Sequence, residues 1–416
     1  MNPRIAFPAP ALALCAAALA GSLIGCSRKA GSDAAAKQAD EYFAKGDFVK
    51  AELEYKNALA QNNNNAHAIS RMGVAYFEQG RLSLAYRFLR RALELRPDDL
   101  EAKFKLALFD LGNGKPADAR QAAIAILEKN PRHAEAPMIL VDTIIKSEDM
   151  ADTRSRLARL PGGAAEAPPA LLALALLELR TGKLKEAETL IDRARKLDPR
   201  SAVAASVLGQ LRMAQKDLTG AGKAFAEAAD LAPPRSQLRV QYARFQLQNG
   251  HAAEGRKLLE ESIARTPDFL PPYLVLAGVA ESEKKYEEAV GLLDKVLTKD
   301  AEHPEAMLLM GQVRLNMGER EKAVTILERA VALYPRSYMM HHQLGLAQIA
   351  SGNFGAAAAS LNQALRAAPG FMPAAFALTR LQIGQGDFAA AVRTVSPFAR
   401  VTPEITEARL LLAAAL

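Results

Sequence analysis

The sequence predicts an all-α fold built from repeated helix pairs, and three observations carry this prediction. Ala and Leu dominate the chain, whereas aromatic residues make up only 6% of its 416 residues and tryptophan is absent. Strands favour aromatic and β-branched residues, so this composition favours long helices. Prolines recur at a fixed spacing, and small residues recur at fixed places between them.

The prolines set a period of 34 residues. A proline ends a helix because its ring removes an N–H donor and clashes with the preceding turn. The spacings between successive members of the series are 34 or 68 residues, and the two missing members fall on Ala165 and Ala301. The series consists of Pro97, Pro131, Pro199, Pro233, Pro267, Pro335, Pro369 and Pro403.

Each repeat indicates two amphipathic helices joined by a turn. In the repeat 66–99, Ile69, Met72 and Tyr76 lie at helical spacing on one face of a first helix. Gly80 starts the turn, and Pro97 prevents the second helix from continuing. We number each repeat so that its terminal proline is position 32. The second helix of this repeat presents Ala85, Phe88, Leu89, Ala92 and Leu93.

Small residues recur at positions 8, 20 and 27. Packed helix axes lie about 8–10 Å apart, which leaves no room for a large side chain at the contact. Five repeats match, with Gly73, Ala85, Ala92; Ala175, Ala187, Ala194; Gly209, Ala221, Ala228; Gly311, Ala323, Ala330; and Gly345, Ala357, Ala364.

This pattern resembles the tetratricopeptide repeat (TPR) family over residues 32–416, although the family's tryptophan at position 4 is absent. The resemblance implies an α-solenoid, a right-handed superhelix of about eleven antiparallel helix pairs. We expect the solenoid to span 38–403, with 404–416 as the first helix of a further repeat. The repeat 134–167 departs most, so we expect a shortened second helix and a soft joint there.

The N-terminus predicts export. Residues 1–25 combine a short basic start with an uncharged run, which is typical of a secretory signal. Leu23-Ile24-Gly25-Cys26 resembles the lipobox of bacterial lipoproteins, which implies diacylglycerol on Cys26 and a lipidated tether over 26–37. Ser27 replaces the family's retention aspartate, which implies the periplasmic face of the outer membrane. The alternatives are an unlipidated signal peptide and a retained membrane helix.

The resemblance also implies a concave surface lined by first helices, which would bind a protein or peptide segment. Position 12 is apolar in nearly every repeat and favours packing, so we expect contacts at positions 5 and 9. The lining is mostly apolar. The family's Lys and Asn clamp for carboxylate tails is absent from these positions. The candidates are Ser70, Val74, Phe104, Leu108, Leu172, Leu176, Ser206, Gln210, Val240, Arg244, Leu308, Gln312, His342, Leu346, Phe376 and Arg380.

Composition argues against other classes of function. The net charge is +7, but the cations are dispersed among acids, which disfavours nucleic-acid binding. Cys15 and Cys26 are the only cysteines, so the folded part has no thiolate cage. Neither a phosphate-binding glycine loop nor a nucleophile elbow occurs. We therefore expect no enzyme activity, metal, cofactor or small-molecule substrate.

Three functions remain open. The first is a periplasmic scaffold for envelope export or assembly. Residues 42–48 and 56–59 resemble the TPR lipoprotein of PEP-CTERM and exosortase systems, which implies exopolysaccharide or PEP-CTERM protein export. The second is a lipoprotein that assembles pili or outer-membrane proteins. The third is a TPR region of a longer chain with a further, catalytic C-terminal domain, because residues 404–416 stop inside a first helix.

Overall fold

The structure is a computed structural model that describes residues 28–401 and 405–416. The predicted signal 1–25 and the predicted lipidation site Cys26 lie outside these residues, as does Pro403. The described residues are helical apart from turns and short loops, and they contain no strand. None of the helices within 28–401 or 405–416 has the length and apolar character needed to cross a membrane. The predicted all-α class is confirmed.

Helix pairs follow one another along the described chain, and a short 3₁₀ turn lies at Ala164–Glu166. The described part of α1 covers 28–44. The later helices are α2 Phe48–Gln61, α3 Ala66–Gln79, α4 Leu82–Leu95, α5 Leu100–Gly112, α6 Pro116–Lys129, α7 Ala136–Asp142, α8 Ser147–Ala158, α9 Pro168–Arg180, α10 Leu184–Leu197, α11 Ala202–Ala214, α12 Leu218–Leu231, α13 Gln237–Gln248, α14 Ala252–Arg265, α15 Pro271–Ser282, α16 Tyr286–Lys299, α17 Pro304–Asn316, α18 Arg320–Leu333, α19 Tyr338–Ala350, α20 Phe354–Ala367, α21 Met372–Gly384, α22 Phe388–Val401 and α23 Thr406–Ala415.

The chain divides into two compact units. The N-terminal unit comprises the described residues up to 80 together with 84–221, and the C-terminal unit comprises 81–83 together with 222–416. Within each unit, first helices of successive repeats contact one another, and most second helices pack against the first helix of their own repeat, as α6 does on α5 and α20 on α19. This is the helix-pair solenoid that the 34-residue period predicts.

The side chain at position 34 caps the N-terminus of several first helices. Asn65, Asp99 and Ser337 each accept a hydrogen bond from the backbone N–H three residues later. Such a cap satisfies an N–H group that the helix itself leaves unpaired. Before Asp99 and Ser337, the proline at position 32 ends the preceding helix, so positions 32 and 34 together separate these repeats from the next.

The chain turns between the two helices of a repeat at position 15, which adopts a left-handed backbone. Glycine holds this position in most repeats because it has no Cβ to oppose a positive φ. Lys216 and Lys284 hold it instead, with φ angles of 63° and 60°. The glycines are Gly46, Gly80, Gly114, Gly182, Gly250, Gly318, Gly352 and Gly386.

We expect Lys216→Gly and Lys284→Gly each to raise the free energy of unfolding by about 1 kcal/mol. A left-handed backbone costs an L-residue roughly 1–2 kcal/mol, and the greater flexibility of unfolded glycine offsets part of that gain. Urea unfolding followed by circular dichroism measures the change. Lys216→Ala is the matched control, since it removes the same side chain but keeps the Cβ and should give no gain. An equal gain from Lys216→Ala would contradict the explanation.

The repeat 134–167 is irregular in a different way from the prediction. The second helix, α8, has 12 residues against 14 in most repeats, so it is slightly shortened as expected. The larger change is in the first helix, because α7 has only 7 residues. The Thr143 hydroxyl donates to the carbonyl oxygen of Leu140 at 2.9 Å, which gives the backbone an alternative to continuing the helix. The predicted soft joint stays a prediction.

The predicted tether 26–37 is wrong over its described part, because residues 28–37 belong to α1. Ser32 is fully buried, and its hydroxyl donates to the carbonyl oxygen of Ala58 at 2.8 Å. Asn65 Nδ2 in turn donates to the Ser32 hydroxyl at 2.9 Å. Ala36 and Ala39 are buried against the second helix of the same repeat. The small, polar composition that suggested a linker instead provides the close contacts of a packed helix.

The last helix fits the expected start of a further repeat. Helix α23, Thr406–Ala415, packs on α21 and α22 as a first helix does. Its Ala408 and Leu411 lie in one apolar cluster with Phe376 and Val395.

Candidate protein-binding face

On α1, α3 and α5, charged side chains that are not buried follow positions 2, 6, 9 and 13, whereas position 6 is buried in several later first helices, as at Ile139, Ala173 and Val207. These positions are four, three and four residues apart, so they form one stripe along a helix. Position 5 lies beside this stripe, where the next first helix packs. The expected contacts at positions 5 and 9 therefore occupy different surroundings.

Most candidates at position 5 are buried. Little of their surface is open to a partner, and packing between repeats accounts for them. Ser70, Phe104, Leu172, Ser206, Val240 and Phe376 are buried, whereas Leu308 and His342 are half-buried. The ring of His342 packs edge-on against Phe371, with centroids 5.3 Å apart. Burial lowers the pKa of His342, and Arg380 lowers it further.

The candidates at position 9 are more open. Most of the predicted partner contacts that a partner could still reach therefore lie at position 9. Val74 is buried; Leu108, Leu176, Gln312 and Leu346 are half-buried; and Gln210, Arg244 and Arg380 are exposed. Arg380 forms an ion pair with Glu407 of the following first helix.

A charged network joins α1, α2 and α3 on this face. Asp40, at position 9 of the first repeat, accepts a hydrogen bond from the Tyr55 hydroxyl at 2.6 Å. Its other carboxylate oxygen lies 2.8 Å from His67 Nε2. Burial raises the pKa of Tyr55, and the hydrogen bond to Asp40 raises it further. Tyr55 therefore stays a neutral donor, which holds the Asp40 carboxylate in place.

Arg71 extends this network to α5. Its guanidinium group lies 3.8 Å from the centroid of the Phe43 ring, and its Nε is 3.8 Å from Asp40. Its Nη1 donates to Glu101 at 2.8 Å. A guanidinium stacked on an aromatic face and held between two carboxylates has little freedom to move.

A third carboxylate, Asp99, connects the end of α4 to the start of α5. One oxygen accepts from the Ser70 hydroxyl at 2.7 Å and from Arg96 Nη2 at 2.7 Å. The other oxygen accepts from the backbone N–H of Ala102 and so caps α5. Both oxygens of Asp99 are thus occupied within the protein.

These groups surround an open cleft of about 590 Å³ in the N-terminal unit. Four carboxylates, two guanidinium groups and one imidazole face it. The cleft is therefore polar, and its formal charge is −2 when the histidine is neutral. Its lining consists of Asp40, His67, Ser70, Arg71, Arg96, Asp98, Asp99 and Glu101.

The charged stripe continues along α3, α5 and the start of α7. Lys105 Nζ lies 2.7 Å from Glu78 and close to the ring of Phe77. Burial raises the pKa of Glu135 and lowers that of His133, which Lys105 lowers further. These pairs join successive repeats, so they align neighbouring first helices while leaving charges at the surface.

Sequence reasoning missed most of this network. It considered positions 5 and 9 from the second repeat onward, whereas the charged side chains lie at positions 2, 6, 9 and 13. The expected apolar lining is wrong for α1, α3 and α5, whose exposed side is mainly charged. The spacing of four, three and four residues between charges was the available signal. The missed residues are Asp40, His67, Arg71, Glu78, Glu101, Lys105, Glu135, Asp142 and Arg180.

On this face, Asp40, Arg71 and Glu101 are hydrogen-bonded or ion-paired across repeats, and the Ser70 hydroxyl donates to Asp99. Among residues 28–401 and 405–416, no group of three or more His, Cys, Asp or Glu side chains could hold a metal ion. Charged and hydrogen-bonding side chains on a stack of helices can select a partner by complementary charge.

Two curated proteins are distant relatives of the chain. Cellulose synthase operon protein C of Pseudomonas fluorescens (strain SBW25) is 26% identical over 325 residues, which cover 69% of this chain and 25% of that protein. Protein CTR9 homolog of Arabidopsis thaliana is 25% identical over 312 residues, covering 68% and 28% respectively. The chain thus spans little more than a quarter of the length of either relative.

A solved structure shares the fold. The crystal structure of yeast Tom70 matches with a TM-score of 0.53 and 17% identity, covering 92% of this chain and 95% of that one. One family model described as tetratricopeptide repeat matches residues 42–109, 77–140, 212–277, 280–340 and 348–415. A second family model with the same description matches residues 172–236. These matches extend over most of the chain. The chain therefore belongs to the tetratricopeptide repeat family.

Proposed function

We propose that this chain is a lipid-anchored periplasmic scaffold that binds a protein partner through its first helices, within an envelope assembly that exports exopolysaccharide. The observation that supports partner binding is the stripe of charged side chains on α1, α3 and α5. These side chains are ordered by contacts between repeats and remain at the surface. A surface ordered before binding loses less conformational entropy when a partner docks.

The pathway rests on two further supports. The name of the Pseudomonas relative assigns it to a cellulose synthase operon, and cellulose is an exopolysaccharide. The lipobox-like segment ending at Cys26 supports anchoring on the periplasmic face of the outer membrane. Two or more acyl chains would make such anchoring stable, since each buried CH₂ contributes about 0.8 kcal/mol. PEP-CTERM protein export remains the alternative cargo of the same scaffold.

Site-specific photocrosslinking in intact cells tests the proposal. A photoreactive residue replaces Leu108 or Leu346, which are half-buried at position 9 of the first helices. We expect each to capture a protein partner in the membrane fraction. The same residue at Glu128 or Arg329, which are exposed on second helices, should capture much less. Equal capture from both pairs, or none from Leu108 and Leu346, would contradict partner binding by this face.

Three observations separate the alternatives. Cys26→Ser should move the chain from the membrane fraction to the periplasmic fraction, and retention in the membrane would contradict lipid anchoring. Deletion of the gene should abolish secreted exopolysaccharide. Loss of pili or of outer-membrane proteins with exopolysaccharide intact would favour the assembly lipoprotein. A native chain extending past residue 416 into a further domain would favour the longer protein.

A further inference from the structure

We infer that the exposed sides of α20 and α22 dock on the negatively charged surface of a phospholipid bilayer. Both are second helices of the C-terminal unit, and both pack on α21. The proposed partner binding uses first helices, so this inference assigns a different surface. It goes beyond the proposed function and rests on it in one respect, because the proposed anchor at Cys26 would keep the chain beside a bilayer.

The exposed sides of α20 and α22 carry arginines without acids. Arg366 is the one charged residue of α20, and Arg393 and Arg400 are those of α22. All three are exposed and form no ion pair within the described residues. Asp387 precedes α22, but its carboxylate caps that helix by accepting from the N–H of Ala390 at 3.0 Å. Three arginines and this aspartate leave a net charge of +2 on the surface.

The neighbouring second helices α16 and α18 have a different charge pattern. Acids and bases alternate on their exposed sides, as with Glu287 and Lys295 on α16 and Glu328 and Arg329 on α18. A positive charge with an acid beside it attracts an anionic surface only weakly, because the pair is nearly neutral at a distance. The arginines of α20 and α22 lack such acids within their helices, so an anionic surface would attract them.

An exposed phenylalanine begins each of these two helices. Phe354 is 45% exposed and Phe388 is 51% exposed, and both occupy position 17 of their repeats. Small exposed residues follow them, Gly355 in α20 and Ala389 in α22. A Cβ at Gly355 would meet nothing within 4 Å, so the surface beside Phe354 is open. Exposed phenylalanine and arginine are residue types that helices use at the boundary between lipid and water.

A bilayer fits this surface better than a folded protein does. An exposed ring surrounded by small residues needs a matching pocket in a protein partner, because protein surfaces pack as rigid shapes. Fluid lipid needs no such pocket, since headgroups and acyl chains close around a ring that enters their boundary. Arginine also binds a lipid phosphate through two parallel hydrogen bonds.

Fluorescence quenching with the whole lipoprotein in vesicles tests the inference. Ala359→Cys places a thiol on the exposed side of α20, and Thr325→Cys places one at the equivalent position 22 of α18. The introduced thiol is the only free one, because the proposed processing removes Cys15 and acylates Cys26. Each thiol is labelled with the fluorophore NBD. The vesicles contain either phosphatidylcholine alone or equal parts of phosphatidylcholine and phosphatidylglycerol, with a spin-labelled lipid as quencher.

We expect strong quenching of the Ala359→Cys label in vesicles that contain phosphatidylglycerol, and much weaker quenching in phosphatidylcholine alone. The Thr325→Cys label should be quenched weakly in both. Substituting all three arginines by glutamine should lower the ratio of docked to free surface about tenfold or more, since each basic residue near an anionic bilayer adds to the attraction. Phe354→Ala with Phe388→Ala should lower this ratio as well, because two apolar contacts are lost.

Lys295→Gln with Arg320→Gln and Arg329→Gln is the matched control for the arginines. These side chains are exposed on α16 and α18, and the triple variant changes the net charge by the same amount. Its ratio of docked to free surface should stay within about twofold of the wild type, because cations paired with acids contribute little. Equal effects of the two triple variants would overturn the surface in favour of diffuse attraction.

Further outcomes separate this inference from the proposed function. Flotation with phosphatidylcholine vesicles reports the lipid anchor. A chain that floats without quenching at Ala359→Cys would sink this inference alone. A chain that does not float would count against the anchor, and docking is then measured with vesicles containing phosphatidylglycerol added to the same chain. Capture of a protein by a photoreactive residue at Ala389, without quenching at Ala359→Cys, would overturn the bilayer in favour of an acidic protein partner.

Discussion

Arg120→Ala should lower the free energy of unfolding by about 3 kcal/mol, a large effect for a single substitution. The Arg120 side chain is only 12% exposed, and its hydrogen bonds connect α6 to the irregular repeat 134–167. Its Nη2 donates to Asp152 at 2.6 Å and to the backbone carbonyl of Asp149 at 3.3 Å. Its Nη1 donates to the carbonyl oxygen of Leu140 at 3.2 Å.

The size of the effect follows from what the substitution leaves behind. Hydrogen bonds involving a charged group each contribute about 1.5–3 kcal/mol, and the substitution removes those to Asp152 and to the carbonyl oxygens of Leu140 and Asp149. The shortened α7 has few backbone bonds of its own to compensate. Urea unfolding measures the loss, and hydrogen exchange should show faster exchange across 142–158 than in the wild type.

Arg156→Ala is the matched control, because Arg156 pairs with the same Asp152 carboxylate at 2.9 Å. The pKa of Asp152 is held below its usual value by Arg156 first and by Arg120 second. Arg156 is 43% exposed, however, and an exposed pair on one helix contributes only about 0.3–0.5 kcal/mol. If both substitutions lowered the free energy of unfolding equally, the hydrogen bonds from Arg120 to the backbone would not contribute to stability.

Gly311→Ala should cost about 2 kcal/mol, although alanine is a better helix former than glycine. Gly311 lies at position 8, in the middle of α17, where the helix meets α18. A Cβ at this residue would lie 2.5 Å from Leu327 Cγ, and Leu327 is itself fully buried. The leucine cannot withdraw without disturbing the core, and overpacking typically costs about 1–3 kcal/mol.

Gly278→Ala separates this steric effect from helix propensity. Gly278 also lies inside a first helix, α15, but a Cβ there would meet nothing within 4 Å. We expect this variant to be more stable than the wild type by about 1 kcal/mol, the propensity difference between the two residues. Thermal unfolding of both variants gives the comparison. A gain in stability from Gly311→Ala would show that the two helices are less closely packed than the structure indicates.

Features set by interactions within one repeat could be predicted from the sequence, whereas features set by contacts between repeats could not. The helix pair of residues 66–99 could be predicted because Pro97 ends a helix in any surroundings. The contacts at positions 8, 20 and 27 could be predicted because a close approach of two helices admits only small residues. The shortened α7 could not, because the bonds that replace its last turn come from Arg120 in the preceding repeat.

The candidate site shows the same limit. Phe104 and Leu172 were expected to contact a partner, yet they are buried between neighbouring first helices. Asp40 and Arg71 were overlooked, and they meet only because α1 and α3 lie side by side. The composition of residues 28–37 suggested a tether, and only the burial of Ser32 showed a packed helix.

The sequence by itself determined the all-helical class, the 34-residue period and the places where helices must approach closely. These properties follow from backbone geometry and side-chain size within a single repeat. The tertiary structure decided which side chains are exposed, which charges pair, and where a charged cleft opens beside α1 and α3. Exposure and ion pairing depend on the residue that a neighbouring repeat places opposite, and that partner is about 30 residues away along the chain.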